Sequence, residues 1–253
     1  MLAGNSRAYR GLSPIEFEKV LGGTAVNAGF SNGTYSKEYC DYLETLFDED
    51  NTTPNILVAG ITHNAICDLD RKNNGFVDAL KKSKESMLTG EQQKQTEGYG
   101  SAFESLIQVK SGANNNNYIQ DFFVNGWISS DYKTRDINKG LSSYKKEFSQ
   151  GMYQCSIQEL ESTIRSLTNL KSKGIDIYCV WLPTAPSMSE LENEQSGMHK
   201  NEIEDAFKRQ GFTWLSFSDS NYTSYDGSHL ELQSASSFSS DVATTIKSIG
   251  PQN

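Results

Sequence analysis

The stretch Asn55-Ile56-Leu57-Val58-Ala59-Gly60 directly follows Pro54 and is apolar from its second residue to its end. A continuous apolar run of this length is typical of a strand that is covered on both faces in a parallel sheet. Residues 175–182 form a second, mostly apolar run, which Pro183 brings to an end. These two strands predict a parallel β-sheet with helices packed on each side.

Helical and strand patterns alternate along most of the chain. Four segments have helical periodicity: 36–47, 157–170, 202–209 and 233–249. Two further segments, 24–29 and 212–217, have the composition of short strands. Such alternation is typical of a sheet that lies between two layers of helices. We therefore predict a three-layer α/β/α fold, with residues 1–253 forming a single domain.

Residues 70 to about 150 interrupt this alternation. They contain a charged run at 81–85, a polar stretch of low complexity at 112–117, and several aromatic residues between and after these segments. We interpret this region as an insertion of helices and loops packed over the carboxyl edge of the sheet. Two roles stay open for its aromatic residues, Trp127 among them: attaching the insertion to the core, or forming a lid or acceptor surface.

The composition argues against several classes of function. A net charge of −9 and a pI near 4.9 leave no basic stripe of the kind that binds nucleic acid. No apolar run reaches the length of about 18 residues that a membrane span requires, so we expect no transmembrane segment. The histidines have no metal-ligand spacing, and we expect neither a metal nor another cofactor. The oligomeric state stays open.

The four cysteines, Cys40, Cys67, Cys155 and Cys179, show no Cys-x-x-Cys spacing. Four free thiols in a reducing compartment are the favoured interpretation, although pairing is not readable from sequence.

Only three residues precede the Gly4-Asn5-Ser6 block, which fits either a short first strand or an upstream segment such as a membrane anchor. Two locations therefore stay open: the cytoplasm, or the extracytoplasmic side as part of an anchored or secreted bacterial protein.

Polar residues with catalytic chemistry directly follow the predicted strands. Ser6 comes after the short apolar start, and Asp226 and His229 come after the last strand in Tyr225-Asp226-Gly227-Ser228-His229-Leu230. A serine hydroxyl becomes an effective nucleophile when a base takes its proton and a carboxylate orients that base. Because the carboxyl ends of parallel strands meet at one edge of a sheet, we predict a triad of Ser6, His229 and Asp226.

The order of these blocks resembles that of the SGNH (GDSL-type) hydrolases. Gly4-Asn5-Ser6-Arg7 is similar to the opening Gly-Asp-Ser block of that family, and Asp226-Gly227-Ser228-His229 to its closing Asp-x-x-His block. Residues 26–34 are similar to the second block, and residues 56–64 occupy the place of the third. The run from Gly4 to Pro14 also resembles a branch of SGNH-like proteins with bacterial, envelope-associated members.

The resemblance implies a flavodoxin-like parallel sheet, the SGNH hydrolase fold, with an oxyanion hole at its carboxyl edge. The donors implied are the amide of Ser6, the amide of Asn32 or Gly33, and the side chain of Asn64. Loss of one such donor costs about 3–4 kcal/mol of transition-state stabilisation in a well-studied hydrolase. The triad is therefore better supported by the sequence than the complete hole.

The sequence departs from the family at two positions. Asn5 stands where Asp is usual, and Thr62 stands where the third block has Asn, so a shift of one or two residues is needed to bring Asn64 into the hole. Arg7, Thr62 and His63 are candidate substrate contacts. For Arg7 a structural ion pair is the alternative, and for His63 it is a loop histidine bonded within the protein.

The chemistry that we predict is hydrolysis of an ester-linked acyl group on a small molecule or a glycan. A first alternative is an O-acyltransferase that uses the same triad on a polysaccharide or cell-envelope glycan. A second is a non-catalytic carbohydrate-binding protein, in which aromatic residues such as Trp127 stack on sugar rings. The substitution Ser6→Ala separates the two enzymes, which lose turnover, from the binding protein, which keeps its affinity.

Overall fold

The computed structural model describes residues 1–31, 34–47, 54–67, 118–132 and 135–250. Within them, four strands form a parallel sheet and two form an antiparallel hairpin. In chain order the strands are β1 (Leu2–Ala3), β2 (Ile56–Ile61), β3 (Tyr118–Phe122), β4 (Ile128–Tyr132), β5 (Asp176–Trp181) and β6 (Thr213–Leu215). The parallel sheet has the order β1-β2-β5-β6, and β3 pairs with β4.

Helices connect these strands. In chain order they are α1 (Ser6–Gly11), α2 (Pro14–Leu21), α3 (Lys37–Glu44), α4 (His63–Ile66), α5 (Ile137–Ser149), α6 (Ile157–Lys171), α7 (Pro186–Gln195), α8 (Lys200–Arg209) and α9 (Leu232–Ile249). Local capping defines some of these bounds: Ser156 and Glu159 form a reciprocal capping box at the start of α6. Among the described residues, none of these helices combines the length and the apolarity that crossing a membrane requires.

Both faces of the parallel sheet are covered. In β5, Ile177 and Cys179 pack into one core with residues of α3, α6 and α8, whereas Tyr178 and Val180 pack into another with residues of α1, α2 and α9. Successive side chains of a strand point to opposite faces, so a strand buried on both faces is apolar throughout. The prediction of an α/β fold built on a parallel sheet is confirmed.

The predicted strand over 24–29 is present only as one isolated bridge between Leu2 and Asn27. The segment nevertheless follows the free edge of β1: Leu2 N–H donates to Val26 O, Ala28 N–H to Leu2 O and Phe30 N–H to Gly4 O, each at 2.8 Å. Because β1 spans two residues, it has too few backbone groups for a longer ladder. With this edge segment included, the order matches the doubly wound arrangement 2-1-3-4-5.

Part of the predicted insertion, residues 68–117, lies outside the described residues. Its described remainder contains α5, as expected of a helical insertion, but also the β3–β4 hairpin, which the sequence analysis did not predict. Trp127, beyond the hairpin turn, is 3% exposed, and its Nε1–H donates to Arg10 O at 3.0 Å. It therefore attaches the hairpin to α1, and this buried ring is not available to stack on a sugar.

Cys67 and Cys155 form a disulfide, which corrects the expectation of four free thiols. Cys67 ends α4 and Cys155 directly precedes the cap of α6, so the bond joins the two ends of the segment that carries the insertion. Their sequence separation of 88 residues left no local pattern from which the pairing could be read. Cys40 and Cys179 are free and buried.

Candidate active site

Ser6 is the first residue of α1 and lies just beyond the carboxyl end of β1. The preceding residue, Asn5, caps this helix by accepting a hydrogen bond from the amide of Arg7 at 3.0 Å. The Asn5 amide group also donates to Thr62 Oγ1 at 2.7 Å, which ties the serine turn to the end of β2. Asparagine thus serves both bonds at a position where the resembling family has aspartate, since an ionised aspartate has no N–H to give to Thr62.

The turn before Ser6 depends on Gly4. Its φ of 138° is a conformation that residues with a side chain rarely adopt. A Cβ at this position would lie 2.8 Å from the carbonyl oxygen of Gly60 and 2.8 Å from Cβ of Ala8. Glycine therefore lets the turn that presents Ser6 pack directly on β2.

The structure brings Ser6, His229 and Asp226 together in a continuous hydrogen-bonded series. His229 Nε2 is 3.0 Å from Ser6 Oγ, and His229 Nδ1 is 2.8 Å from Asp226 Oδ2. Asp226 Oδ1 accepts the backbone N–H groups of Ser228 at 2.9 Å and His229 at 2.7 Å, so the carboxylate is held by its own turn. With Nδ1 protonated toward Asp226, Nε2 is left to accept the proton of Ser6.

Electrostatics favour this protonation state. Burial by itself would raise the pKa of Asp226, but the adjacent His229 and the two backbone amides outweigh it and lower the pKa to about 2. Burial lowers the pKa of His229 below its usual value, and the cations of Arg10 and Arg7 lower it further, while Asp226 acts in the opposite direction. Near neutral pH the carboxylate is therefore charged and the imidazole neutral, as a general base requires.

Tyr225 and Arg10 form a second layer around the imidazole. The Tyr225 and His229 rings are nearly parallel, at 17°, with centroids 5.9 Å apart. Arg10 Nη1 donates to Tyr225 Oη at 2.6 Å, and the Arg10 guanidinium lies 5.4 Å from the centroid of the Tyr9 ring. The sequence analysis did not identify Tyr225 as a site residue, although it directly precedes Asp226.

The predicted oxyanion donors are described only in part. Asn32 and Gly33 lie outside the described residues. The Ser6 amide belongs to the first turn of α1, where amides have no acceptor within the helix. Asn64 lies in the first turn of α4, and its Oδ1 is buried without a hydrogen-bond partner in the described part of the chain.

Thr62 and His63 are not placed as substrate contacts. Thr62 is fully buried, and its Oγ1 accepts from Asn5 and from the amide of Ala65, so it caps α4. His63 is 1% exposed, with Nε2 2.9 Å from Met198 O. The alternative of a histidine bonded within the protein therefore describes His63, because its ring is enclosed and directed away from solvent.

Arg7 forms a buried ion pair, the structural role that the sequence left open for it beside a substrate contact. It is 4% exposed, and Nη1 donates to Glu192 Oε2 at 3.2 Å while Nη2 pairs with Oε1 of the same carboxylate. Arg7 Nε donates to Ser228 Oγ at 2.9 Å, and Tyr144 Oη is 2.8 Å from the same oxygen. We refer to these four residues, Arg7, Glu192, Ser228 and Tyr144, as the arginine network.

Glu192 was not predicted as a site residue, although it shares one face of a helix with apolar residues. In α7 it is buried together with Met188 and Leu191, so a glutamate occupies the apolar face of the helix. A carboxylate on such a face is rarely buried unless it is paired. Burial by itself would raise the pKa of Glu192, but Arg7 and His63 together outweigh it and lower the pKa to about 2.

The described part of the chain contains no group of three or more His, Cys, Asp or Glu side chains placed to hold a metal ion. No protein-family model matches the sequence, and no significant match was found among curated proteins or among solved structures.

Proposed function

We propose that the protein is a serine hydrolase that cleaves an ester-linked acyl group. The observation that carries the proposal is the hydrogen-bonded series from Ser6 through His229 to Asp226. Ser6 and His229 are 223 positions apart in the sequence, so their contact is a product of the fold rather than of a local turn. The low pKa of Asp226 and the lowered pKa of His229 support the charge states that this chemistry needs.

In the proposed mechanism, Ser6 Oγ attacks the carbonyl carbon of the ester while His229 Nε2 takes the hydroxyl proton. Asp226 holds the imidazole in the required tautomer and stabilises the imidazolium that forms. His229 then gives the proton to the departing alkoxide, which leaves an acyl group on Ser6. A water molecule, deprotonated by His229, attacks this acyl-enzyme and releases the acid.

The negative oxygen of each tetrahedral intermediate needs fixed donors. The Ser6 amide and the side chain of Asn64 are the proposed donors in the described part of the chain, and the amide of Asn32 or Gly33 is the third. Donors that are already oriented act without reorganisation at the moment of reaction. The hydrogen bond from Asn5 to Thr62, which fixes the serine turn against the start of α4, supports this arrangement.

We further propose that the fold is of the SGNH hydrolase type. The support is the position of the residues on the sheet: Ser6 follows β1, the Thr62–Asn64 turn follows β2, and the Asp226–His229 turn comes after β6. Together with the edge segment beside β1, this is the block order of the resembling family.

The proposal is tested by following p-nitrophenol release from p-nitrophenyl acetate with the wild-type chain and the Ser6→Ala variant. We expect Ser6→Ala to lower turnover about a thousandfold or more, as removal of a triad nucleophile does elsewhere. Ser224→Ala is the matched control, because Ser224 is also buried and its Oγ has no partner in the described part of the chain.

Labelling with a serine-reactive fluorophosphonate, followed by peptide mass spectrometry, identifies the nucleophile directly. We expect the label on the peptide that contains Ser6. Turnover that survives in Ser6→Ala, or a wild-type chain that neither turns over the ester nor takes up the label, would contradict the proposal.

A further inference from the structure

The arginine network links the two ends of the chain that carry the reacting groups. Arg7 directly follows Ser6 in α1, and Ser228 lies between Asp226 and His229 in the closing turn. The bond from Arg7 Nε to Ser228 Oγ therefore joins the helix that presents the nucleophile to the turn that presents the base. It spans 221 positions of sequence, close to the 223 that separate Ser6 from His229.

Each end of this bond is itself held. Glu192 accepts from both terminal nitrogens of the Arg7 guanidinium, which fixes the plane and the direction of Nε. On the other side, Tyr144 in α5 contacts Ser228 Oγ, and the Arg7 guanidinium carbon lies 5.8 Å from the centroid of the Tyr144 ring. Helices α1 and α5 thus contact the same serine hydroxyl, and α7 holds the arginine of α1 in place.

The burial of these groups separates the network from substrate binding. Arg7, Glu192 and Ser228 are each at most 4% exposed, and the donors of Arg7 are directed at Glu192 and Ser228. A buried ion pair contributes little net stability compared with well-packed apolar residues of similar size. We therefore expect the arginine network to act mainly by fixing the positions of α1 and of the 226–229 turn.

We propose that Arg7 and Ser228, supported by Glu192 and Tyr144, are positioning residues that set the distance between His229 Nε2 and Ser6 Oγ. This inference rests on the proposed function. None of the four side chains touches the reacting atoms; they act through the turn of residues 226–229. A displacement of about 1 Å between reacting groups can cost roughly a hundredfold in rate, so such a support has a kinetic effect well beyond its effect on folding.

The test compares Ser228→Ala with Ser224→Ala, two serine-to-alanine changes at buried positions near the same turn. Ser228 loses its bonds to Arg7 and Tyr144, whereas Ser224 loses none to the described residues, since its Oγ is unpartnered. For each variant, the maximal rate constant of Ser6 labelling by a fluorophosphonate and the kcat and KM for p-nitrophenyl acetate are measured. The thermal unfolding midpoint is recorded alongside.

We expect Ser228→Ala to lower the labelling rate constant and kcat about tenfold or more, with KM close to that of Ser224→Ala. Its unfolding midpoint should fall, because the buried Arg7 Nε loses its acceptor, so all rate constants are measured at temperatures where each variant is fully folded. Arg7→Lys keeps the positive charge beside Glu192 but loses the Nε donor, and we expect a similar kinetic loss. Because both changes break one bond, the double variant should lose little beyond the single variants. A purely structural role would lower stability and leave the rate constant of the folded fraction unchanged.

Two outcomes overturn the inference, and they are distinguishable. If wild-type Ser6 reacts and Ser228→Ala reacts as fast as Ser224→Ala, the positioning role is wrong while the proposed function stands. If wild-type Ser6 neither reacts with the label nor supports turnover, the proposed function fails and the positioning role fails with it.

Discussion

The protonation of His229, the proposed base, is controlled by three charged neighbours and by burial. Burial lowers the pKa of this imidazole, Arg10 and Arg7 lower it further, and Asp226 raises it. The charge of Arg7 is paired with that of Glu192. Arg10 instead donates a hydrogen bond to the hydroxyl of Tyr225, whose ring stacks on the imidazole. Arg10 is therefore the position at which the base can be tuned without breaking the triad or the arginine network.

We expect Arg10→Met to move the acidic limb of the kcat/KM profile to higher pH. In the free enzyme, activity follows the neutral fraction of His229 and therefore rises with pH through its pKa. Since that pKa is lowered, the wild-type limb should lie below about 6.5, the usual value for histidine. Removing a nearby cation raises the pKa, so Arg10→Met needs a higher pH to reach the same activity.

The measurement is kcat/KM for a p-nitrophenyl ester between about pH 4 and 9, with Arg10→Lys as the control that keeps the charge. The lysine variant should retain a limb close to that of the wild type. Identical limbs in the methionine and wild-type chains would show that Arg10 does not act on the base.

For single residues, the sequence predicted which side chains lie near the site better than it predicted which way those side chains point. Ser6, Asp226 and His229 were predictable because their chemistry is tied to local spacing and to strand ends. Arg7 and His63 were correctly noticed as polar groups beside the serine and after β2, but whether such a side chain faces solvent or the interior is decided by distant elements. Glu192, which decides it for Arg7, is 185 positions away.

Asn27 shows how one side chain completes an element. It is buried at the single bridge to β1, and its Nδ2 donates to Ala8 O at 2.9 Å and to Leu12 O at 2.7 Å. Ala8 O also accepts from the N–H of Leu12, the residue that caps the end of α1, and Leu12 O lies one residue beyond the helix. The second sequence block thereby caps the helix that begins with Ser6.

We expect Asn27→Ala to lower the free energy of unfolding by about 2 kcal/mol, because the buried carbonyl of Leu12 loses its hydrogen bond from Asn27, while that of Ala8 keeps only the one from the Leu12 amide. Urea denaturation measures this as a lower midpoint at an unchanged slope. Asn201→Ala, on the exposed side of α8, is the control and should leave the midpoint nearly unchanged. Equal midpoints for the two variants would contradict a capping role for Asn27.

Several elements were missed for identifiable reasons. The helices that begin at Pro14 and Pro186 were not predicted, although proline is common at the first position of a helix, where the absent N–H is not needed. In the hairpin, Asn125-Gly126 is a turn signal between two strands, and Gly126 has a φ of 83°. These signals are local and available from the sequence. The shortness of β1 and the reduction of 24–29 to one bridge depend instead on packing.

For the whole molecule, the arrangement of the site follows from the sheet. The two cores hold the helices on opposite faces, and the polar turns remain at the carboxyl edge. This was predictable because apolar runs and turn positions reflect burial directly. The disulfide was not predictable, since it depends on the end of α4 meeting the loop before α6.

The disulfide should stabilise the folded chain by restricting the unfolded one. Cys67 and Cys155 close a loop with a separation of 88 residues, for which the chain-entropy model gives roughly 4.6 kcal/mol. We therefore expect reduction, or the double substitution Cys67→Ser with Cys155→Ser, to lower the free energy of unfolding by about that amount in a denaturant titration. The double variant should be insensitive to reductant, which controls for effects on the buried thiols of Cys40 and Cys179. Titration of thiols in guanidinium without reductant should find those two free and the other pair protected; four reactive thiols would mean that the bond does not form.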